Sequence, residues 1–198
     1  MLADAFLSLV RKATRELDLD EVRAEVAEFV ARTPDLSTRE RADRMVRRAA
    51  RRAAALGALA SLPPGWAAVA AVAPELSALI VLQSRLIVGL HLLYGGTPEP
   101  DERALEVLAG VAAGTGINVG RRLSARAAEE VAGRIAVRLA GREAARFVPL
   151  AGVAASAALN YAAVRAVGRA ALARVVRLYG PPEVPGPAPV VDVKGEVA

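Results

Sequence analysis

Apolar positions recur along this chain with helical spacing. Over residues 2–17, Leu2, Phe6, Leu7, Val10 and Leu17 fall on one side, with Asp4, Arg11, Lys12, Arg15 and Glu16 on the other. That period predicts an amphipathic helix. Asp20 is placed to cap a second helix, Glu21 to Arg32, whose apolar face is Val22, Val26, Phe29 and Val30. Thr33-Pro34-Asp35 breaks it. Ser37 and Glu40 form the S-x-x-E capping box that opens a third helix. Leu62-Pro63-Pro64-Gly65 is a tight break, and Trp66 to Ala73 a short apolar helix or turn. Pro74 then suits the first turn of a helix running to Tyr94, where its missing N–H costs little. Gly95 is a natural left-handed cap for its end. Thr97 or Asp101 can cap the next helix, which ends near Gly114. A helical run rich in Arg and Ala covers 121–142, and a last helix runs to Leu178 before Gly180-Pro181-Pro182. No strand pattern emerges. The expected fold is all-α: a single bundle-like domain with amphipathic helices at 1–36, the main helical domain at 37–179, and a tail at 180–198. That tail is Pro-rich without a core-forming period, the signature of disorder.

Two apolar units dominate the pattern. The first, Leu62 to Gly95, is the most apolar long stretch, yet it holds Glu75, Gln83, Arg85 and His91. At 100° per residue, Ser77, Ser84 and His91 share one narrow stripe, while Glu75, Gln83 and Arg85 lie on three other sides. A helix apolar nearly all round is buried in protein or lipid. A charge buried there is costly unless paired. The second unit, Phe147 to Val164, has no charged residue; Asn160 interrupts it, and Arg165 and Arg169 close it. Glu75, Arg85, Asn160 and Arg165 are therefore the expected buried polar cluster joining the two units. Ser77, Ser84 and His91 are candidates to line an inter-helix pocket, against the plainer reading of satisfied core polar groups. A membrane span needs about 20 largely apolar residues. The longest charge-free stretch, Ala53 to Pro74, is cut by Pro63-Pro64-Gly65, and the second unit is dominated by weakly hydrophobic Ala. Burial in a bundle or attachment to a membrane surface is preferred over spanning.

The third helix carries the clearest charge pattern. Arg44, Arg47, Arg48, Arg51 and Arg52 follow i, i+3, i+4, i+7, i+8 and share one face. One reading is a solvated helix face. The sharper one is a basic stripe that meets anionic headgroups where the first apolar unit begins. No aromatic is interleaved with these arginines and no recognition motif is present, so nucleic acid is not the expected partner. Gly110 with Gly114, and Gly116 with Gly120, have the spacing that permits close helix contacts. The run GTGINVG, Gly114 to Gly120, lacks a preceding strand and the G-x-G-x-x-G spacing, which excludes a dinucleotide loop.

Composition narrows the chemistry. Among 198 residues, 54% are hydrophobic but only 4% aromatic, so Ala, Leu and Val must supply the packing. There is no cysteine and one histidine, which removes thiolate catalysis, disulfides and a multi-His metal centre within one chain. No cofactor or metal is expected. The start, with Asp4 interrupting its apolar run, does not read as a secretory signal. Glu75 and His91, the available acid and base, stand about 24 Å apart along one helix at about 1.5 Å per residue. With no nucleophile motif either, catalysis is not indicated.

Certain residues point to a family. The first unit pairs L-P-P-G-W (62–66) with P-E-L…Q-S-R-L-I…L-L-Y-G (74–95). The second pairs F-V-P-L-A-G-V-A-A (147–155) with N-Y-A-A-V-R-A-V-G-R-A-A (160–171). Their order and spacing, over roughly 40–178, resemble the EcsC family of bacterial proteins. Glu75 stands where that family usually has Asp. A helical domain appended to some bacterial GTPases looks similar and is the rival assignment, without a P-loop here. The EcsC resemblance implies a helical fold and an origin beside transporter genes, and no established reaction. The expected function is that of a non-enzymatic, membrane-associated helical protein, cytoplasmic or on the inner face of a membrane. It would bind anionic lipid or scaffold a membrane protein. The alternative is a soluble α-helical domain that binds a protein partner or a hydrophobic small molecule between its helices. A homo-oligomer remains open.

Overall fold

A computed structural model describes residues 2–60, 66–114, 117, 130–134 and 151–180. The described residues form α1 (Leu2–Arg15), α2 (Leu19–Ala31), α3 (Thr38–Ala60), α4 (Trp66–Leu93), α5 (Pro100–Gly114) and α6 (Ala151–Tyr179). Residues 130–134 are also helical, and no strand occurs among the described residues. The chain is all-α, as its apolar period predicts. The break at 61–65, most of GTGINVG and of the 121–142 run, and the tail expected to be disordered lie outside the described residues.

Local chemistry sets the helix ends. Asp18, not Asp20, caps α2: its carboxylate accepts from the N–H groups of Asp20 and Glu21, at 2.9 and 3.1 Å. Both are N-cap types, and Asp18 prevails by sitting in extended conformation one residue before the helix. Ser37 and Glu40 close the expected capping box, with the Glu40 carboxylate accepting from the Ser37 N–H at 2.9 Å and the Ser37 hydroxyl accepting from the Glu40 N–H at 3.3 Å. Arg41 reaches back to the Thr33 and Pro34 carbonyls and ties the α2–α3 turn to α3.

Helix α4 departs from expectation at its start. It does not begin at Pro74 but runs unbroken from Trp66 through that residue. A proline inside a helix forfeits one backbone hydrogen bond. Its far end is as expected. Gly95 takes a φ of +77°, Gly95 N–H donates to the Leu92 carbonyl, and Gly96 N–H donates to the His91 carbonyl. These two bonds make a Schellman cap. Gly180, with a φ of +85°, follows the end of α6.

Small residues hold the bundle together. α3 buries Ala42, Val46, Ala49, Ala50 and Ala53, and packs on α6 in the most extensive helix pair of the fold. The two run antiparallel, since Gly168 faces Val46 while Gly57 faces Ser156 and Asn160. α4 lies against α1, α2, α3, α5 and α6, with Leu86, Ile87, Val88, Leu90 and His91 all buried. α2 docks on its flank through Val22 and Val26 against Val88.

Gly168 shows how tight this packing is. A Cβ there would stand 2.7 and 2.8 Å from the two γ-methyls of Val46 and 3.2 Å from a δ-methyl of Leu86. Gly168→Ala gains about 1 kcal/mol of helix propensity, against about 1–3 kcal/mol for overpacking a core that a β-branched neighbour cannot yield. Net destabilisation by about 1 kcal/mol is expected in urea unfolding, and Val46→Ala in the same chain should recover part of it. A Gly168→Ala protein as stable as the parent would refute the close α3–α6 contact.

Candidate functional site

The helix that buries its small face on α6 turns its arginines outward. Arg44, Arg47, Arg48, Arg51 and Arg52 are all exposed, and with Phe29 and Ala55 they line an open groove of about 720 Å³. Leu59, 63% exposed, lies on the same face one turn beyond Ala55.

Among the described residues none of these five arginines forms a salt bridge, and the nearby acids are engaged elsewhere. Asp20 pairs with Arg23, Glu28 with Arg32, and Asp43 with Arg39. Glu21 and Glu25 both pair with Arg85. Glu40 belongs to the capping box. Hydrogen bonding from Arg85 holds the Glu21 carboxyl below its usual range, and the Ser37 cap does the same for Glu40. The stripe contains five like-charged neighbours at i, i+3 or i, i+4 (44–47, 44–48, 47–51, 48–51 and 48–52). At about 0.2–0.5 kcal/mol each, they cost roughly 1–2.5 kcal/mol at low salt. An anion bound there would relieve this.

The expected polar cluster of Glu75, Arg85, Asn160 and Arg165 does not assemble around Arg85. That guanidinium is 28% exposed and faces α2, at 2.9 Å from Glu21 and 3.0 Å from Glu25. Asn160 is buried on the α3 side of α6, against Gly57. Arg165 donates to the hydroxyl of Tyr161 on its own helix at 3.2 Å and lies over that ring. The Glu75 side chain lies outside the described residues. An i, i+4 partner and a neighbouring helix with two acids in register supply what the apolar units were expected to supply to each other.

The Ser77, Ser84 and His91 stripe is not an open pocket. Ser77 is half-buried. Ser84 is fully buried and donates to the Ile80 carbonyl at 2.8 Å. His91 is 2% exposed. Gln83, on another side of α4, is also buried, and its Oε1 has no hydrogen-bond partner among the described residues. Such an unmet acceptor costs about 1–3 kcal/mol.

His91 instead belongs to a cluster that sequence reasoning missed. Its Nδ1 lies 3.0 Å from the Tyr179 hydroxyl, and its Nε2 lies 3.9 Å from Glu106 Oε2. Arg174 grips Glu106 with two hydrogen bonds, Nε to Oε2 at 2.5 Å and Nη2 to Oε1 at 2.6 Å. Bidentate pairs of this kind are among the stronger hydrogen bonds. The Tyr179 ring also covers Gly96, where any Cβ would collide with it. The cluster thus fastens the ends of α4 and α6 to the middle of α5. Its signal in the sequence was Glu106, a lone carboxylate between Leu105 and Val107-Leu108; its partner, 68 residues away, has no local signature.

Burial pushes the His91 pKa below its ordinary value; Glu106 opposes that shift and Arg174 adds to it. Burial also raises the Tyr179 phenol, with Glu106 and Glu102 contributing. In the neutral ring, the tautomer protonated at Nε2 suits this setting: Nδ1 can then accept from the Tyr179 O–H while Nε2–H faces the Glu106 carboxylate.

Comparison with protein-family models, curated proteins and solved structures finds no match for this chain.

His91 has a stated pH signature. The unfolded imidazole takes up a proton near 6.5, while the folded one does so only at lower pH. Its contribution to stability is complete above about 6.5 and is lost as pH falls from there through the folded pKa. Urea midpoints measured from pH 8 to 5.5 should fall in the parent chain and fall less in His91→Gln. Equal slopes in the two proteins would contradict a buried, neutral His91.

Proposed function

We propose that this protein is a non-enzymatic, peripheral membrane protein of the EcsC type, which attaches to anionic lipid on the inner face of a membrane through the exposed arginine face of α3. The observation that carries this reading is the surplus of positive charge: five exposed arginines share one face, and the acids of α2 and α3 form their ion pairs and caps with other groups, Glu40 alone adding a charge attraction to Arg44. Leu59, exposed on that same face, adds an apolar contact of the kind interfacial helices use. A basic residue near an anionic surface contributes about 1 kcal/mol, so five give about 5 kcal/mol, a dissociation constant on the order of 0.2 mM. Attachment of that strength is reversible and sensitive to salt.

The residues 76–93 of α4 are long and apolar enough to cross a membrane by length and composition, and 56% of that window is buried in the bundle. The alternative of a ligand between the helices has less support, because Ser84 and His91, two of its three lining candidates, are closed off and hydrogen-bonded.

Cosedimentation with phosphatidylcholine vesicles, with and without phosphatidylglycerol, tests the proposal at low and high salt. Binding should need phosphatidylglycerol, weaken with salt, and fall about 100-fold in Arg47→Gln/Arg48→Gln/Arg51→Gln, at about 1 kcal/mol per charge. Indifference to the triple substitution would overturn it. So would binding that resists carbonate extraction, or binding to a duplex oligonucleotide in place of vesicles.

A further inference from the structure

The arginine face is more than a diffuse positive surface. It lines a groove whose other contributors are Phe29 of α2 and Ala55, and the groove's volume of about 720 Å³ far exceeds the space of one small anion. Its charges stand in two rows side by side along the helix: Arg44, Arg48 and Arg52 in one, Arg47 and Arg51 in the other. Successive members of a row are about 5–6 Å apart at Cβ, and the stripe from Arg44 to Arg52 spans about 12 Å at about 1.5 Å per residue. Guanidinium groups recognise phosphate with paired N–H donors. Two adjacent pairs at this spacing can each hold one phosphate, with a short linker between them. A single phosphate would engage only part of the set. The apolar contributors suit a lipid: Phe29 lies at the groove, and exposed Leu59 sits beyond its Ala55 end, where the same face continues.

We infer that this groove is a discrete site for a lipid headgroup bearing two phosphates. The inference deepens the peripheral-membrane reading and rests on it, and it adds a preference that surface charge alone does not produce. Diffuse attraction depends on charge density and treats one lipid with two phosphates as equal to two lipids with one each. A built groove prefers the pair when it is covalently linked, because the second phosphate arrives already positioned.

The test uses the full chain and phosphatidylcholine vesicles doped with cardiolipin, which carries two phosphates. Phosphatidylglycerol vesicles serve as reference, at twice the mole fraction so that surface charge is equal. Soluble tripolyphosphate and orthophosphate are titrated in parallel by calorimetry at constant ionic strength. The expected results are about tenfold tighter binding to cardiolipin vesicles, one tripolyphosphate per chain, and competition between the two. Arg48→Gln/Arg51→Gln should abolish the preference. Arg11→Gln/Arg15→Gln, which removes the same charge from exposed positions on α1, should keep it. All substituted residues are exposed, and far-ultraviolet circular dichroism confirms that the variants fold. Equal binding to both vesicles at matched charge would overturn the groove site and leave peripheral attachment standing. Stoichiometric tripolyphosphate binding without a cardiolipin preference would overturn the lipid assignment. No binding to either vesicle would overturn the membrane reading itself.

Discussion

The structure depends on how closely the backbones of α3 and α6 approach. With aromatics at 4% of the chain, large side chains cannot fill wide gaps between helices. The helices must instead come near enough for Ala, Val and Gly to touch. On α3 that selects the face of Ala42, Val46, Ala49, Ala50 and Ala53; on α6 it brings Ser156, Asn160 and Gly168 against α3. At Gly57 a Cβ would stand 2.5 Å from the Asn160 side-chain nitrogen and 2.9 Å from the Ser156 carbonyl oxygen, so the two helices approach there backbone to backbone with no room for a methyl group. An arginine on that side would have neither space nor solvation. The outward arginine face and the inward small face of α3 are one pattern, and the packing of α3 fixes where the charge is displayed.

The same approach explains α4. Its long apolar circumference is covered by helices on several sides, so each polar residue finds a different solution. Ser84 turns back to its own backbone. Arg85 leaves the core toward two carboxylates of α2. His91 reaches the last residue of α6. At this final point the Schellman cap, the Tyr179 ring and the Glu106–Arg174 pair act together. Gly96 lets the ring lie over the turn, the ring brings its hydroxyl to His91, and the carboxylate held by Arg174 lies beside the other imidazole nitrogen. Breaking one partner of such a pair leaves an uncompensated charge in a poorly solvated place, which costs more than the pair contributes.

What was legible in the sequence follows the range of the interactions concerned. The capping box at Ser37 and Glu40, the Gly95 cap, the stop after Tyr179 and the shared arginine face all arise within one or two turns, and the residues involved are visible together. The choice of Asp18 over Asp20 turned on a two-residue shift in chain entry, which either aspartate permits. Pro74 does not mark the start of α4, which begins at Trp66: suiting a first helical turn does not exclude helix before the proline. Arg85 was assigned to the other apolar unit because charges in apolar helices need partners; the rule held, but the partner came from α2, whose register on α4 is set by Val22, Val26 and Gly89. The Glu106–Arg174 pair depends on how α5 crosses α6, and no local spacing encodes that crossing. The second apolar unit was readable as a helix from its Ala-rich run, but its role as the main partner of α3 was not.

The position of Arg85 also bears on how such a chain would meet a bilayer. The apolar window of α4 runs from Leu76 to Leu93, and Arg85 sits at its midpoint. Were the helix to span, that guanidinium would lie near the bilayer centre, at about 2.5–3.5 kcal/mol on insertion scales. It would also give up Glu21 and Glu25, while His91 gave up Tyr179. The buried part of the window, 56% of it, would gain almost nothing in return, because lipid tails are no more apolar than the core it already occupies. Surface attachment through α3 demands none of these losses. The arginines are already exposed and already repel one another, so an anionic surface relieves strain present in the free protein. For the proposed surface attachment the balance favours a bundle that stays folded, with α4 kept as its core.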